Sequence, residues 1–74
     1  MKIINEQQDK HRVYLECSET TKRIKAIILT KNERELEVET PTGYILHLQK
    51  KTRRGQYSIR IGMVEFHSDG KLVN

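Results

Sequence analysis

Apolar and polar residues alternate with a period of two along almost the whole chain after residue 11. In the first alternating run, Arg12 to Cys17, the apolar residues take every second position, at Val13, Leu15 and Cys17. Successive side chains of a β-strand point to opposite faces of the sheet, so this period is that of a strand with one covered face. The pattern predicts an extended segment that buries these three side chains and exposes the others.

Further runs follow the same rule, and turn-forming residues separate them. The runs are Arg23 to Lys31, Glu35 to Glu39, Tyr44 to Gln49, Gln56 to Ile61 and Met63 to His67. Gly62 separates the last two, and we interpret it as a bulge or sharp bend in one continued strand. Short connections favour antiparallel neighbours, and a small sheet hides its edges by curling or closing. We predict an all-β fold of five to six short antiparallel strands that form a small barrel or a curled open sheet, with at most one short helical turn, at residues 4 to 11.

Two polar segments have the residues of specific turns. Thr40-Pro41-Thr42-Gly43 predicts a type I turn, because the proline presets φ at the second position and the glycine takes the fourth. Ser68-Asp69-Gly70-Lys71 contains the Asp-Gly pair that is typical of a β-hairpin. Tyr44 and Tyr57 are in phase with the apolar residues of their runs, and we expect both rings to lie in the core.

The length of 74 residues allows one domain, residues 1 to 74. A chain of this size buries only about 60% of the surface that its unfolded form exposes, and hydrophobic residues make up 35% of it. Cys17 is the one cysteine in the sequence, so no internal disulfide can form. Self-association is the remaining common means of stabilising so thin a core. We therefore expect a homodimer or a larger homo-oligomer.

The residue patterns of common enzymes are missing from the sequence. His11, His47 and His67 lack the paired spacing of a zinc site. No serine lies in a nucleophile elbow, and the four glycines are isolated rather than grouped into a phosphate-binding loop. We expect no enzymatic activity, no cofactor and no metal. The lone thiol and the lack of a long apolar segment favour a cytoplasmic protein without a membrane partner.

Basic residues gather in one segment of a chain whose formal net charge is +4. The segment contains no acidic residue, and its cations are Lys50, Lys51, Arg53, Arg54 and Arg60. Four of them lie in or beside a predicted hairpin loop, which projects from the sheet and can follow a phosphate backbone. Cations that bind phosphates release condensed counterions, which favours association. The sequence therefore favours DNA or RNA as the partner.

The candidate contacts extend beyond this loop. Lys22, Arg23 and Lys25 form a second basic patch, and we expect Lys25 to flank the loop. Tyr14 lies out of phase with the apolar face of its strand, beside Arg12, and is the candidate for stacking on a base. The predicted nucleic-acid-binding residues are therefore Lys50, Lys51, Arg53, Arg54, Arg60, Lys25 and Tyr14.

Two other interpretations stay open. A basic loop is often only solvated, or is paired across strands with acidic neighbours such as Glu33, Glu35, Glu37 and Glu39. The second function class is a protein-interaction module or inhibitor that acts through an exposed sheet edge or an oligomer interface. Its motivation is the continuous apolar run from Ala26 to Leu29, which places hydrophobic side chains on both faces of one strand.

Overall fold

The computed structural model describes residues 11–20 and 22–73, and every regular element in them is a β-strand. The strands are β1 (Arg12–Cys17), β2 (Arg23–Lys31), β3 (Glu35–Glu39), β4 (Ile45–Lys50), β5 (Tyr57–Ile61) and β6 (Val64–Ser68). The predicted all-β class is confirmed. The helical turn predicted at residues 4 to 11 lies outside the described residues except for His11. This part of the chain contains no helix long and apolar enough to span a bilayer.

The sheet closes into a barrel. Each strand pairs antiparallel with the next one in sequence, and β6 returns to pair with β1. The registers bring inward residues together, since Val13 lies opposite Ala26 and Leu36 lies opposite Leu48. Closure pairs the two outer strands of the sheet with each other, which reduces the exposed edges that favour aggregation. Of the two predicted architectures, the barrel is confirmed.

The inward side chains of the strands fill the barrel. The buried core consists of Val13, Leu15, Ala26, Leu36, Val38, Leu46, Leu48 and Tyr57. Ile24, Ile28, Ile59 and Phe66 are partly buried against it. All of these residues are at positions that the alternation placed on the inner face. The core is therefore one layer of aliphatic side chains with a single aromatic ring among its buried members.

A β-bulge explains the continuous apolar run in β2. The register of β2 against β3 shifts between Ile28 and Thr30, which makes Leu29 the extra residue. Ala26 is buried, Ile27 and Ile28 are half-buried, and Leu29 is exposed. The inward and outward alternation of side chains therefore shifts by one residue within the run from Ala26 to Leu29. The outer face of β2 is only partly covered.

Gly62 and Met63 form a tight turn rather than a bulge in a continued strand. Ile61 pairs with Val64, so only two residues connect β5 to β6. Gly62 has a φ of 63°, whereas φ of Met63 is not positive. These signs are those of a type II′ turn, which matches the twist of the strands it joins. The prediction of one continued strand through Gly62 is wrong, because the glycine reverses the chain.

The chain also departs from the hairpin predicted at residues 68 to 71. Gly70 has a φ of 75°, and the carboxylate of Asp69 accepts the backbone N–H two residues later at 2.9 Å. This local turn directs the chain to the first strand, where Val73 donates its backbone N–H to the carbonyl of Arg12 at 2.8 Å. Asp-Gly thus makes the expected turn, but the residues that follow it pair with β1 instead of β6.

Two seams of the barrel are incomplete along their length. The pairing of β1 with β6 consists of Glu16 with His67 and Cys17 with Phe66, and the β4–β5 seam is equally short. The pairing of β4 with β5 consists of Gln49 with Ser58 and Lys50 with Tyr57. Both pairs lie where β4 ends and β5 begins. The first half of β4 and the second half of β5 therefore diverge, which opens the barrel toward the opposite end.

Candidate nucleic-acid interface

The two ends of the barrel differ in chemistry. Because strand directions alternate, the β2–β3 and β4–β5 connections and the segment after β6 lie at one end, and the other three connections lie at the opposite end. We call the first the basic end, defined by Lys31, Arg34, Lys50, Lys51, Arg53 and Arg54. We call the second the apolar end, defined by Ile24, Tyr44, Ile45, Ile61, Met63 and Phe66.

A β-turn presents the two arginines of the β4–β5 connection. Gly55 donates its backbone N–H to the carbonyl of Thr52 at 3.2 Å, which closes the turn. Arg53 and Arg54 occupy its two central positions and are exposed. Neither has a positive φ, which agrees with a type I turn rather than type II. The sequence thus folds locally so that two guanidinium groups leave the barrel from adjacent positions.

Arg34 adds a cation that was absent from the predicted site. The side-chain oxygen of Asn32 accepts the backbone N–H groups of Arg34 at 2.9 Å and Glu35 at 2.8 Å, which fixes the β2–β3 turn. The carbonyl of Arg34 accepts the N–H of Lys50 at 2.8 Å. A shallow depression results, and its lining residues are Glu33, Arg34, Lys50, Lys51, Thr52 and Arg53.

Tyr57 anchors the base of the basic end. Its ring is buried as predicted, and its hydroxyl donates to the carbonyl of Asn32 at 2.7 Å. The ammonium group of Lys50 lies 4.7 Å from the centroid of the same ring, within the range of a cation–π contact. Tyr57 therefore links the β2–β3 turn to the β4–β5 connection. Lys50 is half-buried on this ring, so the cations of this connection that are exposed to solvent are Lys51, Arg53 and Arg54.

The glutamates do not neutralise the β4–β5 connection. In residues 11–20 and 22–73 the salt bridges join Arg23 to Glu16, His47 to Glu37 and His67 to Glu16. Glu37 also accepts the hydroxyl of Thr30 at 3.2 Å. Among the described carboxylates, Glu33 alone lines the depression of the basic end. The sequence left open whether Glu33 to Glu39 pair with basic residues across strands. Of these three salt bridges, only the one between Glu37 and His47 is of this kind.

Arg60 lies on the outer side of the incomplete β4–β5 seam. It lines a shallow groove together with His47, Gln49, Lys51, Ser58, Ile59 and Glu65. The groove connects Arg60 to Lys51 of the basic end. Glu65 is the cross-strand neighbour of Arg60 and places a negative charge beside it. The structure thus brings Arg60 to the edge of the predicted site, in a less positive surrounding.

Lys25 and Tyr14 lie away from the basic end. They are cross-strand neighbours on β1 and β2. Lys25 is six positions before Lys31, about 20 Å at roughly 3.3 Å per residue. The ring of Tyr14 is half-buried. Arg23 lies 5.2 Å and Lys25 lies 5.9 Å from its centroid. The second basic patch therefore covers Tyr14 and does not join the first.

The arrangement at the basic end is suited to binding anions. It combines exposed guanidinium and ammonium groups with a shallow, open surface, and such a surface reaches a phosphate backbone by charge. Within the described part of the chain, no three His, Cys, Asp or Glu side chains come together in a way that could hold a metal ion.

Comparison of the chain with protein-family models, with curated proteins and with solved structures finds no match in any of the three.

Proposed function

We propose that this chain is a small, non-catalytic nucleic-acid-binding module of the cytoplasm, with a regulatory role, that holds phosphates with its basic end. One observation carries the proposal. Lys51, Arg53 and Arg54 are exposed on one connection, and in the described residues no carboxylate forms a salt bridge with them. Arg34 extends this surface from the neighbouring turn. Four cations on two neighbouring connections can contact several phosphates of one backbone.

The proposed mode of recognition is contact with the backbone rather than base stacking. Stacking on unpaired bases uses exposed aromatic rings. Tyr57 is buried, Tyr14 is half-buried beneath Arg23 and Lys25, and the exposed Tyr44 lies at the opposite end of the barrel. We therefore expect DNA or RNA to be bound with little dependence on sequence, because phosphate contacts set register and affinity but do not read bases.

Two variants with equal net charge test the proposal. The loop variant combines Lys51→Gln, Arg53→Gln and Arg54→Gln, and the matched control combines Lys22→Gln, Arg23→Gln and Lys25→Gln. Fluorescence anisotropy would measure the affinity of each for a short DNA duplex and a short RNA duplex at about 100 mM salt. We expect the loop variant to bind at least about 100-fold more weakly, because three phosphate contacts are lost. The control should retain most of the affinity.

Absence of binding by the unaltered chain at low salt would overturn the proposal. Equal losses in both variants would also contradict it, since the affinity would then follow net charge rather than the basic end.

A protein-interaction module or inhibitor is the second candidate, and the incomplete β4–β5 seam favours it. A strand edge that lacks a partner can accept an added strand, and the paired part of this seam ends at Gln49 and Ser58. Pull-down from host extract after nuclease treatment separates the two functions. A partner that remains after nuclease supports protein interaction, whereas partners that all disappear support nucleic-acid binding.

A further inference from the structure

The exposed hydrophobic side chains of the barrel are concentrated at one end. Among the described residues, the large hydrophobic side chains that are exposed are Leu29, Tyr44, Ile45, Ile61, Met63 and Leu72. Four of these six belong to the apolar end. Met63 is 87% exposed and Tyr44 is 70% exposed, values that leave most of each residue in water. A concentration of this kind marks an interaction surface more often than scattered single residues do.

Three of these four side chains, Tyr44, Ile45 and Ile61, line an open apolar depression, and Met63 lies on the β5–β6 turn at the same end. The depression is lined by Ile24, Ile45, Leu46, Ile61 and Phe66 and, on one side, by the turn 40–44. It exists because β4 and β5 diverge after their two paired positions. Leu46 belongs to the buried core, so the depression is continuous with the barrel interior. A second apolar surface placed here would extend the core.

We propose that the apolar end is the interface of a homodimer, in which the same end of a second copy of this chain packs against it about a two-fold axis. The proposal gives a surface and a geometry to the self-association expected from the thin core. It does not depend on nucleic-acid binding. The two basic ends of such a dimer point away from each other.

The charges favour a second copy as the occupant. A two-fold interface needs a surface that is complementary to itself, and an apolar face meets this condition without any separate complementary patch. Its surroundings contain both signs, with Glu39 at the end of β3, Arg23 at the start of β2, and Arg60 beside Glu65. The second basic patch, Lys22, Arg23 and Lys25, also lies toward this end, but Arg23 is paired there with Glu16 and Glu19 lies on the same connection. The charge around the apolar surface is therefore mixed and does not favour an anionic lipid or a phosphate.

The other ways of joining two barrels end to end are unfavourable. Contact between two basic ends brings like charges together, and contact between a basic end and an apolar end would remove cations from water without partners. Pairing through the two apolar ends avoids both costs, because the cations around this surface are accompanied by carboxylates, as Arg23 is by Glu16 and Arg60 by Glu65. The arrangement also places the two surfaces of excess positive charge at the greatest separation that the dimer permits.

The size of the surface predicts a reversible dimer. An apolar patch on a small protein typically covers about 300–600 Å², so two of them bury at most about 1,200 Å² in total. This value lies at the lower boundary of specific interfaces. We therefore expect a dissociation constant on the order of 100 μM, with monomer and dimer both present at concentrations that are easily measured.

Sedimentation equilibrium of the full chain tests the proposal. The weight-average mass should rise from 8.8 kDa toward twice that value between about 5 μM and about 1 mM protein. The experiment is done after nuclease treatment and at about 1 M salt, where the Debye length is only about 3 Å. Association through nucleic acid is lost under these conditions, whereas an apolar interface persists.

Matched exposed substitutions locate the interface. Met63→Lys and Tyr44→Lys, made separately, should each weaken dimerisation at least tenfold, because each places a charge in the apolar contact. Leu72→Lys is the control, since Leu72 is an exposed hydrophobic residue on the segment after β6, at the basic end. A chain that stays monomeric up to about 1 mM overturns the proposal. A dimer that Leu72→Lys disrupts as strongly as Met63→Lys overturns it as well.

Discussion

The basic end and the apolar end are built from the same barrel, but they present different chemistry to the solvent. At the basic end, long charged side chains leave short turns whose backbone groups are fixed by hydrogen bonds, as at Thr52–Gly55 and around Asn32. At the apolar end, the turns at Thr40–Gly43 and Gly62–Met63 carry no charged residue, and the charges of the connections lie on β1–β2, at Glu19 and Lys22. Between them the strands supply a common core.

The difference shows how an antiparallel barrel separates functions. Connections that alternate along the chain lie at the same end, so residues from every second connection are gathered into one surface. Lys51, Arg53 and Arg54 are joined in this way by Arg34, although at least sixteen positions of the sequence separate Arg34 from them. The intervening connection, which carries Tyr44, goes to the opposite end. A cation can thus take part in the site without being near it in sequence.

Replacing a glycine with alanine should lower the free energy of unfolding more at the basic end than at the apolar end. A Cβ added at Gly70 would lie 2.6 Å from Cε1 of the buried Tyr57, and φ there is 75°. We expect Gly70→Ala to lower the free energy of unfolding by about 3 kcal/mol, from backbone strain and a clash with a ring in the core. Urea denaturation measures the change.

Gly43→Ala is the matched change at the apolar end. Gly43 also has a positive φ, of 94°, but no atom lies within 4 Å of an added Cβ. Only the backbone strain remains, and we expect a loss of about 1 kcal/mol. Equal losses at the two positions would mean that Gly70 is not packed against Tyr57.

Removing one hydroxyl should distinguish the anchored tyrosine from the exposed one. Tyr57→Phe deletes the hydrogen bond to the carbonyl of Asn32, and we expect a loss of about 1 kcal/mol in the free energy of unfolding. Tyr44→Phe should change it by less than about 0.5 kcal/mol, because Tyr44 is exposed. Thermal unfolding of both variants gives the comparison. A larger loss for Tyr44→Phe would contradict the anchoring role of Tyr57.

The fold could be predicted from sequence because the alternation of apolar residues determines which side chains share a face. Leu36 and Val38, between glutamates, and Leu46 and Leu48, on either side of His47, are all buried as expected. Tyr44 was expected in the core and is exposed. It lies in the turn before β4, where its N–H is bonded to the side chain of Thr40, so the alternation of the strand does not extend to it.

The site was harder to predict, because local sequence does not show which segments meet. Lys50, Lys51, Arg53 and Arg54 could be grouped because they are consecutive or nearly so. Lys25 was expected to flank them, but it lies toward the other end of β2. Arg34 was missed although the strand count alone places its turn at the same end as the basic loop. The sequence alone allows this prediction, because every second connection of an antiparallel sheet lies at the same end.

The salt dependence of binding tests the central claim, that cations gathered at one barrel end hold a phosphate backbone. For a DNA duplex contacted by Arg34, Lys51, Arg53 and Arg54, the slope of log K against log salt should be about −3.6. Affinity should then fall about 150-fold between about 50 and 200 mM salt. The loop variant, which keeps one of the four contacts, should give a slope of about −0.9, and the opposite-end control should keep about −3.6. A slope that is the same in both variants would contradict the account.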